Sequence, residues 1–136
     1  MIRPINKDIF SLGRKSVPAD KNDINVIADL KDTLAAHREE CVGMAANMIG
    51  VNKNIIIVDI GYINMIMINP KIIRAIKPYT HEEGCLSLDG KRSVKRFKEI
   101  DVSYEDEKFN KCQSHFSGIV ACIIQHEIDH CNGVII

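Results

Sequence analysis

From Phe116 to His130 the chain reads FSGIVACIIQHEIDH. Apolar residues recur there at spacings of three and four: Phe116, Ile119, Val120, Ile123, Ile124 and Ile128, the signature of a helix with two adjoining apolar faces. A helix buried on most of its circumference must sit inside the fold, with other elements built around it. Yet His126, Glu127, Asp129 and His130 close this segment. On a helix, residues four apart stand one turn above each other, so His126 and His130 point the same way, with Cys122, Ile119 and Ile123 on that side.

An uncompensated carboxylate or imidazole in such a place costs several kcal/mol, on the order of 2–7 for a neutral polar group. A divalent cation compensates it. Two imidazoles at i and i+4 can share one tetrahedral ion, while Glu127, turned about 100° around the axis, stands beside it and can serve as a general base towards water. A helix end carrying surface His, Glu and Asp is the plain alternative.

Two histidines leave a tetrahedral site short of a protein ligand. Cys85 in HEEGCLSLDG is the strongest candidate, because a thiolate suits zinc or ferrous iron and Gly84 lets backbone approach a ligand closely. Cys112 in a polar stretch, and Cys122 and Cys131 on the helix itself, are weaker ones. His81, Glu82 and Glu83 read as solvated turn residues. In CVGMAANMIG, Cys41 to Gly50, the small residues Gly43, Ala45 and Ala46 suit a loop packed against a site.

Elsewhere the reading is coarser. DKNDINVIADLKDTLAAHREE carries Ile24, Ile27, Leu30, Leu34 and Ala35 at helical spacing, with Asp20 as N-cap and Asp23 in the first turn. From Ile55 to Lys77, β-branched runs broken by Gly61 and Asn69-Pro70 read as strands and turns, and SVKRFKEIDVSYED, Ser93 to Asp106, as a long strand. From Ser114 the chain reads as helix until Gly133 stops it. The fold class is therefore α+β, with mainly antiparallel β-sheet around a buried C-terminal helix. With 136 residues and no linker-like tract, residues 1–136 are expected to form a single domain.

The balance of 18 basic against 18 acidic residues gives no nucleic-acid footprint and no attraction to an anionic membrane. Apolar runs such as NIIIVDI are of strand length, well short of the roughly 20 residues of a membrane span. No secretory signal is visible at the N-terminus, so a cytoplasmic location is expected, where five irregularly spaced cysteines stay reduced.

Taken together and in order, VGMAANMIG, EGCLS and QHEIDH resemble the three motifs of the peptide deformylases, and INPKI (Ile68 to Ile72), VKR (Val94 to Arg96) and HCNGVII extend the likeness from about Ile24 to the C-terminus. The resemblance implies a hydrolase that removes the formyl group from the N-terminal formyl-methionine of new proteins, with ferrous iron the usual ion and zinc, nickel or cobalt as substitutes. It implies Cys85, His126 and His130 as metal ligands, Glu127 as acid/base and the Leu86 N–H as an oxyanion donor. Gly43 would contact the substrate backbone and Arg96 would lie near the substrate-binding rim. Val42, Ile119, Cys122 and Ile123 would contribute to a methionine pocket. Formyl-methionyl peptides or nascent chains are the expected partners, with a transient ribosome encounter and without nucleic acid or membrane.

The first motif departs from the family at its end. Where Ala-Ala-Pro-Gln is usual, this chain has Ala45-Ala46-Asn47-Met48, and Cys41 replaces the first glycine. The family glutamine is expected to donate to the oxyanion, which a thioether cannot do. Losing one such donor costs about 10²–10³ in rate, so Met48 implies slowed chemistry at an intact metal site, unless Asn47 or another group donates instead. A metal- and peptide-binding relative without useful catalysis is one alternative. An H-E-x-x-H peptidase, which completes its site with His or a carboxylate, is another.

Overall fold

The structure is a computed structural model that describes residues 1–85 and 88–134, and the side chains among them except those at 85, 88 and 89. A one-turn helix α1 (Ile9–Leu12) precedes α2 (Ile24–Ala36). Strands β1 (Gly43–Ala45), β2 (Ile55–Asp59), β3 (Asn64–Cys85), β4 (Leu88–Glu105) and β5 (Lys111–Ser117) follow, and α3 (Gly118–Cys131) closes the order. The strands form one antiparallel sheet in sequence order.

The apolar run of β2 explains the layering. Successive side chains of a strand point to opposite faces. Ile55 and Ile57 therefore join Met44, Ile66 and Ile68 against Ile27, Leu30 and Leu34 of α2. Ile56 and Val58 join Ala45, Met67, Ile100 and Val102 against Ala121, Ile124 and Ile128 of α3. The central strands are thus covered on both sides, which is why β2 reads as continuous Ile and Val rather than as an alternation. At about 1.5–3 kcal/mol for each fully buried side chain, this double burial is the main source of stability. Among the described residues no helix is long and apolar enough to cross a membrane.

Three sequence expectations change. Asn69-Pro70 does not end a strand: β3 runs through it with a register shift, and Asn69 takes φ 52° while its side chain bonds Ala19 N and O at 2.8 and 3.0 Å. The helix expected from Ser114 starts at Gly118, because residues 111–117 pair with β4 and Phe116 lies opposite Ile100. Ile24 and Ala35 lie on the solvent side of α2. The helix start is as expected, with Asp20 and Asp23 forming a capping box around a short 3-10 turn.

The end of α3 is closed by a Schellman motif: Val134 N–H donates to Asp129 O at 2.9 Å and Gly133 N–H to His130 O at 3.0 Å. Gly133 sits at φ 76°, and a Cβ there would stand 2.6 Å from Gly13 O. No other residue meets both demands.

Candidate active site

His81 and Glu83 lie two apart on β3 and share one face of the strand, which turns towards α3. The register then shifts: Glu83 pairs with Arg92 and Cys85 with Leu88, so the single residue Gly84 of β3 stands opposite three of β4, residues 89–91. Glu83, on the same face of the strand as His81, is turned into the site rather than to solvent.

Glu83 is 7% exposed and every oxygen is used. Its Oε1 accepts from Arg96 Nη2 at 2.7 Å and lies 2.5 Å from His126 Nδ1. Its Oε2 accepts from Arg96 Nε at 2.9 Å and Cys122 Sγ at 3.0 Å, and lies 3.1 Å from His81 Nδ1. Burial alone would push this carboxyl up, but hydrogen bonds from His126, Arg96 and Cys122 outweigh it and hold it well below the ordinary carboxylate range. The reading of Glu83 as a solvated turn residue is corrected accordingly. A signal for it existed: a buried ligand histidine needs a partner for its second nitrogen, usually a carboxylate.

Arg96 is 3% exposed and does not line the cleft, so the expected place at the substrate rim is also corrected. Its guanidinium forks onto Glu83 and sends Nη1 to Asp129 Oδ2 at 2.7 Å, tying β3, β4 and α3 together. Gln125 adds a second tie. Its amide exchanges two 2.8 Å hydrogen bonds with the backbone of Phe97, as a neighbouring strand would.

On α3 the His126 and His130 rings pack edge to face with centroids 4.4 Å apart. The Glu83 carboxylate against Nδ1 fixes the orientation of the His126 ring. Ligand atoms of His126, Glu127 and His130 lie within 4.8 Å of one another and all three residues are buried. His130 Nδ1 stands 3.0 Å from Glu127 Oε1. Two imidazoles and a carboxylate turned towards each other in an apolar interior fit a divalent cation.

A cleft of about 620 Å³ opens on this cluster. Val42, Gly43, Met48, Ile119, Cys122 and Ile123 line it together with His126 and Glu127, so the structure brings these expected site residues into one place. Gly43 is there by necessity: a Cβ would stand 2.8 Å from Ile123 Cγ2 and 3.1 Å from Glu127 Oε2. Gly84, next to Cys85 in the chain, lines the same cleft. The Cys85 side chain and all of Leu86 fall outside the described residues. Cys112 sits on β5 away from the cleft, and burial pushes the Cys131 thiol up to about 12.

Met48, which the motif resemblance sets against the family glutamine, is 1% exposed and lines the cleft. Asn47 does not stand in for that glutamine. Its Nδ2 donates instead to the backbone carbonyl of His130 at 2.8 Å.

Comparison with known proteins agrees with this arrangement. The polypeptide deformylase family profile matches residues 2–136. A peptide deformylase of Clostridium beijerinckii is 55% identical over 136 residues, covering all of both chains. The crystal structure of peptide deformylase from Thermotoga maritima superposes with a TM-score of 0.89 at 28% identity, covering 99% of this chain and 95% of that one. A peptide deformylase from Acinetobacter baumannii with Met-Ala-Ser bound gives 0.87 at 26% identity, covering 99% and 96%. An interior H-E-x-x-H helix, a glycine-shaped cleft above it and likeness along the whole chain lead to one conclusion: the chain belongs to the polypeptide deformylase family, metal-dependent hydrolases that remove N-terminal formyl groups.

Proposed function

We propose that this chain removes the formyl group from N-terminal formyl-methionine, releasing formate and a free amine. The observation that carries the reading is the placement of Glu127, with His126 and His130, at the inner end of a cleft walled by Val42, Ile119 and Ile123. His126, His130 and Cys85 would hold the ion, ferrous iron in the cell, with zinc, nickel or cobalt as substitutes. A divalent ion held there supplies Lewis-acid polarisation to a water molecule and to the formyl carbonyl.

The chain's own residues do the rest. Glu127 takes a proton from the attacking water as the new C–O bond forms at the formyl carbon, then delivers it to the departing nitrogen as the C–N bond breaks. Gly43, in contact range of Glu127, leaves room for the substrate backbone beside that carboxylate. The Leu86 N–H donates to the oxyanion, as the family motif implies. Val42, Ile119 and Ile123 take the methionine side chain, a reading supported by the neighbour that holds Met-Ala-Ser. Arg96 acts from beneath, holding Glu83 against His126.

Residues 1–136 would act as one domain on formylated nascent chains in the cytoplasm, meeting the ribosome only transiently. Formate release from a formyl-Met peptide by anaerobically prepared, iron- or nickel-loaded protein tests the reading. Glu127→Ala should lose about 10²–10⁴ in turnover. Equal release by wild type and Glu127→Ala would end the proposal. Met48 favours a second reading, peptide binding with weak catalysis, because among the described residues that line the cleft none carries a side-chain amide.

A further inference from the structure

Beside the cluster of His126, Glu127 and His130, β3 and α3 bring together a second set of donor groups. His81 Nδ1, Glu83 Oε2 and Cys122 Sγ converge on one point, with separations of 3.1, 3.0 and 3.8 Å. Ligands at about 2.0–2.3 Å from a tetrahedral ion stand roughly 3.5 Å from one another, so these three donors already have the spacing of a metal's coordination shell. No residue is shared with the cluster of His126, Glu127 and His130. The two sets touch through the Glu83–His126 hydrogen bond.

We propose that His81, Glu83 and Cys122 form a second cation site, for a divalent ion of the zinc class, in the wall of the substrate cleft. The mixed nitrogen, sulfur and oxygen set selects a borderline ion over calcium or magnesium, which prefer oxygen alone. Strand and helix preorganise it: His81 and Glu83 are fixed by their i, i+2 placement on β3, Cys122 by burial on α3, and Arg96 clamps the Glu83 carboxylate with two nitrogens. On binding, the Cys122 S–H bond breaks, its proton leaves to solvent, and the sulfur's electron pair is donated to the ion. His81 and Cys122 both line the cleft, so the ion enters by the substrate's route and its fourth position faces the substrate. An ion held there obstructs the methionine pocket and raises KM, a consequence that rests on the function proposed above.

Equilibrium dialysis of the full chain against Zn²⁺ under reducing, anaerobic conditions counts the ions. Co²⁺ reports thiolate ligation by its charge-transfer absorption. Two equivalents are expected in the wild type, falling to one in Cys122→Ser and in His81→Gln, whose imidazole is half exposed and whose replacement leaves the core intact. One equivalent in the wild type and none in the variants would uphold this site while removing the metal centre of the proposed reaction. The same number in wild type and variants, whether one or two, would overturn the second site. As the second equivalent fills, KM for a formyl-Met peptide should rise tenfold or more in the wild type and stay level in His81→Gln. A wild-type KM that does not move would overturn the placement of the ion in the substrate's path.

Discussion

The side-chain amide of Asn47 donates to the main-chain carbonyl of His130 at 2.8 Å, joining the loop after β1 to the last turn of α3. Both residues are buried, and His130 O also accepts from Gly133 N–H in the Schellman motif. A proline at position 47 could not make this bond, so the departure from the family motif brings its own structural tie. Asn47→Ala should lower unfolding free energy by about 1–3 kcal/mol in a denaturant titration, the cost of one lost buried hydrogen bond plus a small void.

The same hydrogen bond separates two explanations of Met48. With the Asn47 amide committed to His130, no described residue lining the cleft offers the amide that the glutamine would, so Met48→Gln should raise turnover of a formyl-Met peptide by about 10²–10³ with little change in KM. Unchanged kcat would mean that the second reading, binding without useful catalysis, describes the chain better.

Much of this was legible in the residues. The interior helix, the metal-spaced histidines and the glycine-lined loop all follow from local periodicity and chemistry, whereas Asp20 caps the short 3-10 turn that leads into α2 and Asp23 stands at the N-cap of the long helix itself. What escaped was non-local. Glu83 looks solvated in HEEGCLS because nothing in the string shows that the strand face it shares with His81 packs towards α3, or that Arg96, thirteen residues away, closes on it. The helix pattern continued too far upstream for the same reason: Phe116 fits a helical period, but pairing with Ile100 decides its state.

The Arg96–Glu83 fork supports a prediction about stability and metal together. Arg96→Met leaves a buried carboxylate without its main partner and should cost about 3–5 kcal/mol. Arg96→Lys restores charge but not the two-nitrogen geometry, so it should recover less than half of that loss. Through His126, Glu83→Gln should weaken metal binding by about 10–100-fold, read by competition with a chelator of known affinity.

Acid should loosen the N-terminal strap first. Asp29 is held below the usual carboxylate range chiefly by its hydrogen bond from the N-terminal amine, against burial and with help from Arg3 at 2.9 Å. A depressed pKa contributes stability that is fully present above the unfolded value, about 3.9, and is lost as pH falls from there through the lower folded value. Asp29→Asn should therefore lower Tm at pH 7, and the difference from wild type should shrink steadily as pH falls below about 4. Parallel Tm curves across that interval would show that the strap does not titrate.

Gly43 gives the sharpest test of how the cleft and the acid/base residue share space. A methyl group at this position meets Ile123 Cγ2 at 2.8 Å and Glu127 Oε2 at 3.1 Å, so Gly43→Ala must displace one of them. Overpacking of this kind costs about 1–3 kcal/mol in stability, but the larger effect should fall on catalysis, because a carboxylate shifted by as little as 1 Å can lose about 10² in rate. Removing the methyl group that clashes first should separate the two effects. In Gly43→Ala with Ile123→Leu, whose side chain is unbranched at Cβ and has no Cγ2, the clash eases while the contact with Oε2 remains, so stability should return and kcat should stay low. Full recovery of kcat in the double variant would mean that Ile123, rather than Glu127, was the residue pushed aside.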